Sequence, residues 1–270
     1  MTSDEVLAGY DAVCRLYPHI PSMTTWRSWE YAAYQHYELP EPILDVGCGD
    51  GRFFRLVWPN LRNVTGVDID PNIVAIARQS GVYREVIKSP VFEMSFPPNS
   101  FASAFANCSL EHMDRLTEVL GKIHHCLKPG GVFIFSVVTE KMVEWSTLPM
   151  LIAAACDPDR AQVLQAEYEG YHHLVNPLPV AEWAEYFKKA GFQIREHIPI
   201  LPELTSRLFL FIDHLWHVRR EDGEAGDKIY PFLTSFPDFP RGFRDILSGI
   251  MQMERDFSVG SGAVFLARRL

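Results

Sequence analysis

Residues 43–138 of this 270-residue chain alternate short apolar, β-branched runs with amphipathic helical windows, and this alternation constrains the fold more than any other feature. Strands separated by helices favour a parallel sheet that is covered by helices. Five strands are predicted, at Ile43–Val46, Val64–Val67, Glu85–Lys88, Phe101–Ala106 and Val132–Val138. The pattern therefore predicts an α/β protein with a doubly wound core.

Helix start and stop signals between these strands agree with that prediction. Asp70 is expected to cap a helix whose first turn contains Pro71, and Gly81 is expected to end it. Asp114 is expected to cap the next helix, which Lys128-Pro129-Gly130-Gly131 would stop. Local signals and the predicted fold thus support each other.

Two more strands are predicted beyond this region, at Phe192–Ile198, after a helix over Val180–Ala190, and at Ala263–Ala267. The sixty or so residues between these strands exceed an ordinary connection and contain helical patterns at Ser206–Val218 and Gly242–Phe257. We divide the chain into an N-terminal helical cap segment (1–40), a core (41–200) with an insert (139–178), a helical insert (201–260) and a closing strand (261–270).

The first predicted strand runs directly into glycines at every second position, Gly47, Gly49 and Gly51. Glycine permits positive φ and close approach of the backbone to a ligand at the carboxyl end of a sheet. A dinucleotide motif, G-x-G-x-x-G, would need a third glycine where Arg52 stands. Asp45, at the end of the strand, would repel a phosphate and attract an ammonium or sulfonium group. The loop therefore favours a cationic ligand.

The segment Asp45-Val46-Gly47-Cys48-Gly49-Asp50-Gly51 resembles the first motif of class I S-adenosylmethionine-dependent methyltransferases, in the small-molecule, type 11-like subgroup. The resemblance extends from about Pro42 to Ile198 and includes the closing strand. It implies a seven-stranded, mostly parallel, Rossmann-like sheet with helical cap insertions. It also implies S-adenosyl-L-methionine as cofactor, S-adenosyl-L-homocysteine as product, and cofactor contacts from Asp45, Gly47, Cys48, Gly49 and Gly51.

A second motif supports the resemblance, because Asp68 ends the second predicted strand seventeen positions after Gly51. Adenosine-binding α/β folds place an acid there to accept both ribose hydroxyls. By resemblance, Ile69 would pack on adenine. The family usually has an acid after the third strand, but this chain reads Lys88-Ser89-Pro90-Val91, which leaves the Val91 N–H as the group that would reach adenine.

A third segment, from Asn99 to His112, is similar to the family's fourth strand and the turn that follows it. By analogy, Asn107 and the Cys108 backbone would face the methionine end of the cofactor, and His112 would lie near the methyl group. Ala102 replaces a usual aspartate. This change and Pro90 leave open whether cofactor binding is weakened.

Two histidines are candidate catalytic residues. An imidazole titrates near neutral pH and suits deprotonation of a hydroxyl or phenol. His112 is one candidate, and it could equally be a helix cap or a packing residue. His173 is the other; it and its neighbour His172 lie in a segment that contributes to the acceptor pocket in relatives, and both could equally be surface residues. No metal site is predicted, because no ligand cluster has a recognisable spacing.

Composition limits the remaining choices. Lysine and arginine number 25 against 34 acidic residues, a net charge of −9, which argues against a nucleic-acid partner. The five cysteines are widely spaced without a C-x-x-C pair, which favours a reducing compartment. The N-terminus does not resemble a signal peptide, and the apolar runs are too short for a membrane span. A cytoplasmic protein is expected, of unassigned oligomeric state.

These observations favour an enzyme that transfers a methyl group from S-adenosylmethionine to an apolar or aromatic small molecule by SN2 displacement. The segments outside the core are rich in aromatic and aliphatic side chains, and the acceptor pocket and a lid at 201–260 are expected there. One alternative is a catalytically silent protein that binds the cofactor in a regulatory or scaffold role. Another is a nicotinamide-dependent oxidoreductase on a similar sheet.

Overall fold

The computed structural model of the protein describes residues 1–155, 157–221 and 223–270. Cys156, one of the five cysteines, lies outside the described residues. Within these residues the strands are β1 (Ile43–Val46), β2 (Val64–Asp68), β3 (Glu85–Lys88), β4 (Phe101–Asn107), β5 (Leu127–Val138), β6 (Phe192–Ile200), β7 (Arg219–Arg220), β8 (Gly223–Glu224) and β9 (Gly262–Arg269). Seven of them form one sheet, in the order β3-β2-β1-β4-β5-β9-β6. The predicted seven-stranded α/β fold is therefore confirmed.

The helices fall into two groups by position in the chain. Those between the first sheet strands and before β6 are α3 (Arg52–Val57), α4 (Pro71–Gln79), α5 (Leu116–Cys126) and α9 (Val180–Lys189). The others are α1 (Ser3–Val13), α2 (Pro21–Tyr34), α6 (Lys141–Glu144), α7 (Thr147–Ala154), α8 (Pro158–Tyr171), α10 (Glu203–Trp216), α11 (Gly226–Thr234) and α12 (Phe239–Met253). No helix among the described residues has both the length and the apolar character that crossing a membrane requires.

The chain divides into two compact units. The first comprises Met1–Ala32, Glu140–Leu174 and Pro199–Gly262, and the second comprises Ala33–Thr139, Val175–Ile198 and Ala263–Leu270. In the first unit, α1 and α12 are joined by an ion pair between Asp11 and Arg244 at 2.7 Å and by a hydrogen bond from the Tyr10 hydroxyl to the Pro240 carbonyl at 2.9 Å. The second unit contains most of the sheet and its buried core.

The strand order of the second unit determines where a ligand can bind. β1 pairs in parallel with β2 on one side, where Ile43 opposes Val64, and with β4 on the other, where Ile43 opposes Ser103. The chain therefore adds β2 and β3 on one side of β1 and then returns to add β4 and β5 on the other side. Doubly wound sheets open a crevice at the carboxyl ends of the strands at such a point of reversal. The glycine loop leaves β1 at this place.

Most predicted strands match the observed ones within two residues, and the predicted α4 cap is confirmed because Asp70 accepts hydrogen bonds from the Asn72 and Ile73 N–H groups. The predicted Asp114 cap is wrong. Arg115 occupies the N-cap position of α5 with φ 60°, which places Asp114 one residue too early to cap the first turn. Strand β5 also begins earlier than predicted, at Leu127 directly after α5.

The core of the second unit is an aromatic stack on the central strands. The fully buried Phe135 ring lies between Phe187, 4.2 Å away with planes 7° apart, and Phe265, 4.8 Å away with planes 4° apart. These side chains come from β5, α9 and β9, so the stack fastens the closing strand and the covering helix to the sheet. Buried aromatic side chains dominate core energetics because each removes a large apolar area from water.

We expect Phe135→Ala to lower the free energy of unfolding by about 3–5 kcal/mol, because it removes the central ring of this stack and leaves a cavity. Urea denaturation followed by circular dichroism measures the change. Ile76→Ala, on the exposed side of α4, is the control in the same unit and should change stability by roughly 0.5 kcal/mol or less. Equal effects of the two substitutions would contradict this assignment of the core.

Candidate functional site

The loop between β1 and α3 depends on its glycines for two different reasons. Gly47, Gly49 and Gly51 have φ values of 69°, 54° and 77°, a region that other residues rarely adopt. A Cβ atom on Gly47 would also lie 2.6 Å from Cβ of Ser109, and one on Gly51 would lie 2.6 Å from the Tyr83 ring. Gly49 has open space around it, so only its conformation requires glycine.

The loop is tied to the end of β2 by its own amide groups. The N–H groups of Gly47 and Cys48 donate to the Val67 carbonyl at 2.8 and 3.1 Å, and the Gly49 N–H donates to Oδ2 of Asp68 at 3.0 Å. In phosphate-binding loops such N–H groups point at the ligand instead. Because these three amides already have acceptors within the protein, the loop is poorly suited to a pyrophosphate.

Asp68 combines a structural role with spare acceptor capacity. Its Oδ2 accepts from Gly49 and its Oδ1 accepts from the Asp70 N–H at 3.0 Å. An ionised carboxylate has about four lone-pair sites, so about two remain for a ligand. The next residue, Ile69, is 64% exposed although it is large and apolar. A hydroxyl-bearing ligand with a flat apolar part fits this pair of neighbours.

Asp45 lies in the interior and is only 2% exposed. Its Oδ2 accepts a hydrogen bond from the Tyr83 hydroxyl at 2.7 Å, and that hydroxyl also lies 3.0 Å from the Cys48 carbonyl oxygen. Burial raises the pKa of Asp45 to about 7, while the Tyr83 hydrogen bond lowers it and nearby Asp68 raises it. Asp45 is therefore a buried acid beneath the loop that titrates near neutral pH.

Tyr83 is a site residue that the sequence analysis missed. It lies outside every motif, yet its ring fills the space beside Gly51 and Gly66, and its hydroxyl links Asp45 to the loop. The thiol of Cys48 is buried against Gly66, where a Cβ would lie 2.7 Å from its sulfur. A small side chain at position 48 and a glycine at 66 let the loop close on β2.

The turn after β4 is fastened to the strands beside it. Oδ1 of Asn107 accepts from the Tyr34 hydroxyl at 2.9 Å, and the Ser109 hydroxyl donates to the Val46 carbonyl at 2.8 Å. The Cys108 N–H donates to Ser136, 2.9 Å from its Oγ. The expectation that the Cys108 backbone faces a ligand thus concerns its carbonyl, since its N–H already has an acceptor. The sequence motifs gave neither Tyr34 nor Ser109 a role at this turn.

His112 ends a short 3₁₀ helix, Leu110–His112, and its side chain is 35% exposed. Its Nε2 lies 3.9 Å from Oε1 of the buried Glu111. Asn176 supports this helix, because its amide nitrogen donates to the carbonyls of Leu110, at 3.2 Å, and Met113, at 2.8 Å. The imidazole of His112 is thus held on a fixed turn and reaches solvent.

The two remaining predicted residues, Val91 and His173, belong to different units of the chain. Val91 is buried in a short 3₁₀ helix, Val91–Glu93, and the nearby Ser89 N–H donates to the Asp68 carbonyl at 3.0 Å. This contact brings the segment after β3 to the acid at the end of β2. His173 belongs to the first unit, where it is exposed with φ 46°. Its catalytic role stays a prediction.

Comparison with known proteins agrees with this arrangement. The sequence model of a methyltransferase domain matches residues 44–135. The demethylmenaquinone methyltransferase of Symbiobacterium thermophilum is 27% identical over 216 residues, which cover 70% of this chain and 82% of that relative. The malonyl-[acyl-carrier protein] O-methyltransferase of Pectobacterium atrosepticum is 26% identical over 139 residues, 46% of this chain and 55% of that relative.

A solved structure shares the fold over most of its length. The geranyl diphosphate C-methyltransferase of Streptomyces coelicolor, crystallised with S-adenosyl-L-homocysteine, has a TM-score of 0.55 at 13% identity and covers 90% of this chain and 79% of its own. The region that matches the methyltransferase-domain model, residues 44–135, begins within β1 and ends within β5. It therefore includes the glycine loop, Asp68 and the turn after β4. The match of residues 44–135 to a methyltransferase domain, the similar relatives and the strand order together support a class I S-adenosylmethionine-dependent methyltransferase.

Proposed function

We propose that this chain transfers the methyl group of S-adenosylmethionine to an apolar or aromatic small molecule. The observation that carries the proposal is the junction of Asp68 and Ile69 with the glycine loop, which offers a carboxylate with free lone pairs beside an exposed apolar side chain. A nucleoside presents the matching groups, two ribose hydroxyls and a flat base.

The cofactor would be held by groups at the ends of four strands, β1 to β4. Asp68 would accept hydrogen bonds from the ribose, Ile69 and the Val91 N–H would contact the base, and the loop of Gly47, Cys48, Gly49 and Gly51 would line the sugar and methionine parts. Asn107 and the Cys108 carbonyl would face the methionine end. When bound, the cofactor supplies an electrophilic methyl group on a positively charged sulfur, open to SN2 displacement.

Asp45 contributes electrostatically in this proposal. It lies too deep for direct contact with solvent, but a carboxylate in a low-dielectric interior acts on a nearby cation more strongly than one in water. A cationic cofactor would in turn favour the ionised form of Asp45. Tyr83 fixes the carboxylate by its hydrogen bond and acts as a positioning residue.

Methyl transfer places few demands on covalent catalysis, so the chain's main task is to align the acceptor and exclude water. His112, on its supported turn, would accept the proton of an acceptor hydroxyl. His173 is a second candidate for this proton transfer. The relatives act on demethylmenaquinone and on malonyl-[acyl-carrier protein], by their names. Quinone-like and phenolic compounds are therefore the first acceptors to examine.

The helical insert at 201–260 is proposed to bind or cover the acceptor. It carries large apolar side chains that remain exposed, among them Phe232 at 63% and Phe236 at 50%. Exposed apolar groups of this size are typical of ligand or partner contacts when they cluster, and these two rings lie 5.2 Å apart. They favour an apolar acceptor over a charged one.

A cofactor-binding protein without turnover is the alternative, motivated by Pro90 and by Ala102 in place of a usual acid. A methyl-transfer assay distinguishes the two functions. Labelled methyl groups should move from S-adenosylmethionine to at least one member of a panel of phenols, quinones and malonyl thioesters. S-adenosyl-L-homocysteine binding without methyl transfer to any acceptor would favour the alternative.

We expect Asp68→Ala to weaken S-adenosyl-L-homocysteine binding by about 1.5–3 kcal/mol, roughly 10- to 150-fold, because hydrogen bonds to a charged group are lost. Isothermal titration calorimetry measures the affinity. Glu85→Gln, an exposed acid on the adjacent strand β3, is the charge control and should leave it unchanged. Thermal unfolding without ligand separates this loss from damage to the loop. Unchanged affinity in Asp68→Ala would remove the ribose assignment.

We expect cofactor binding to release protons near neutral pH, because a bound cation favours the ionised form of Asp45, whose pKa is about 7 in the free protein. Affinity should therefore rise as pH increases from about 6 to 8. Calorimetry in buffers of different ionisation enthalpy counts the released protons, at most about half a proton from this group at pH 7. Asp45→Asn should lose this contribution and release fewer protons, and equal release by both proteins would contradict the role of Asp45.

We expect His112→Ala to reduce turnover by about 10²–10⁴-fold with a hydroxyl acceptor while S-adenosyl-L-homocysteine affinity stays within about twofold, because general-base catalysis contributes by this amount. His125→Ala, which alters an exposed histidine of α5, is the matched control. The activity lost in His112→Ala should partly return at higher pH, because the acceptor hydroxyl then loses its proton without a base. Full activity of His112→Ala would make this histidine a packing residue.

A further inference from the structure

Three side chains of the first unit converge in a way that the proposed function does not use. His172, Asp213 and His217 each direct one potential ligand atom into a space where these atoms lie within 4.8 Å of one another. Nε2 of His172 is 3.1 Å from Oδ2 of Asp213, and Nε2 of His217 is 3.7 Å from Oδ1. Two imidazoles thus face the two oxygens of one carboxylate.

The helices explain why the three residues meet. Asp213 and His217 stand four residues apart at the end of α10, so they share one face of that helix. His172 is the C-cap residue of α8, directly after Tyr171. The cluster therefore joins the carboxyl ends of two helices of the same unit, and their partial negative charge favours a cation there.

The groups around the cluster resemble the surroundings of a metal site. Nδ1 of His217 lies 3.2 Å from Oε2 of Glu224, which is the carboxylate–histidine pairing that orients metal-binding imidazoles. The Tyr168 hydroxyl donates to Oδ2 of Asp213 at 2.7 Å, and the Tyr171 ring stacks on His217 with centroids 4.0 Å apart. Each of these contacts fixes the direction of a side chain without occupying the nitrogen that faces the cluster.

A cation between the imidazole nitrogens and the carboxylate would satisfy all three side chains of the cluster. If Nδ1–H of His217 donates to Glu224, the neutral ring directs the lone pair of Nε2 toward the Asp213 carboxylate, which is repulsive. Nε2 of His172 is buried and, within the described part of the chain, has no hydrogen bond of good geometry. Asp213 is itself only 5% exposed. A buried carboxylate and two inward-facing nitrogens are stabilised by a cation between them.

We propose that His172, Asp213 and His217 bind a divalent transition metal ion, with Zn²⁺ as the best match. Two imidazoles and one carboxylate are ligands that Zn²⁺ accepts, and three protein ligands leave a fourth position for water. Ligand distances near 2.0–2.1 Å imply ligand separations of about 3.3 Å in a tetrahedral site. The observed separations, from 3.1 Å to at most 4.8 Å, reach this value with small side-chain rotations.

The metal would act as a clamp between α8 and α10, and this role is independent of methyl transfer. The two histidine side chains are 23% and 17% exposed, so the cluster lies near the surface of its unit. The proposal differs from the sequence-based expectation of no metal site. Sequence spacing could not reveal the cluster, because His172 is separated from Asp213 by 41 positions (213 − 172).

The test uses the full chain, freed of metal by a chelator, kept reduced, and titrated with Zn²⁺ in competition with a chromophoric chelator. We expect one tight Zn²⁺ per chain, and at least tenfold weaker binding in His172→Gln, Asp213→Asn and His217→Gln. His125→Gln, which alters an exposed histidine of α5, is the matched control and should bind Zn²⁺ normally. Zn²⁺ should also raise the unfolding temperature of the control but not of the three variants.

Two results would overturn the proposal. One is the absence of stoichiometric Zn²⁺ binding by the unaltered chain, which does not depend on how well any variant folds. The other is binding that survives His172→Gln and His217→Gln, since the ion would then be held elsewhere, for example by cysteines. Co²⁺ distinguishes these ligands, because thiolate coordination adds charge-transfer absorption that a site of histidine and aspartate lacks.

Discussion

The hydrogen bond from the Gly49 N–H to the Asp68 carboxylate is the interaction on which the candidate site depends. It joins the loop after β1 to the end of the neighbouring strand β2, and β1 also borders the point where the strand order reverses, between β1 and β4. The same carboxylate also receives the Asp70 N–H and so sets the start of α4. One side chain therefore shapes the loop, positions the next helix and retains lone pairs for a ligand.

This arrangement explains why the glycines and the acids of the two motifs belong together. Positive φ at Gly47, Gly49 and Gly51 turns the loop back toward β2. The N–H groups of Gly47, Cys48 and Gly49 then donate to Val67 and Asp68. What remains for a ligand is an acidic environment, with Asp68 at the site and Asp45 buried below it. Such an environment suits a cationic nucleoside and disfavours a pyrophosphate.

Much of the fold could be predicted from the sequence because it rests on local signals. The β-branched runs, the Asp70-Pro71 cap and the glycine loop act within a few residues of one another, and each was found at or near its expected place. The Asp114 cap failed because a left-handed Arg115 intervenes, and no propensity indicates an arginine there. The sequence motifs also identified the acid at position 68 and its exposed neighbour.

Contacts between distant segments could not be predicted in the same way. Tyr83 reaches Asp45 across 38 positions, and Asn176 supports the turn of His112 from 63 positions beyond Met113. The cluster of His172, Asp213 and His217 needs two helix ends to meet. No sequence motif joins these residues to their partners, since tertiary packing alone brings them together.

The most direct test of the account is a crystal structure of this chain with S-adenosyl-L-homocysteine. The account predicts ribose hydroxyls within hydrogen-bonding distance of Asp68, the base against Ile69 and the amino-acid part near Asn107. A loop that holds a phosphate or pyrophosphate group, or a nucleoside bound away from Asp68 in crystals grown at saturating ligand, would contradict it.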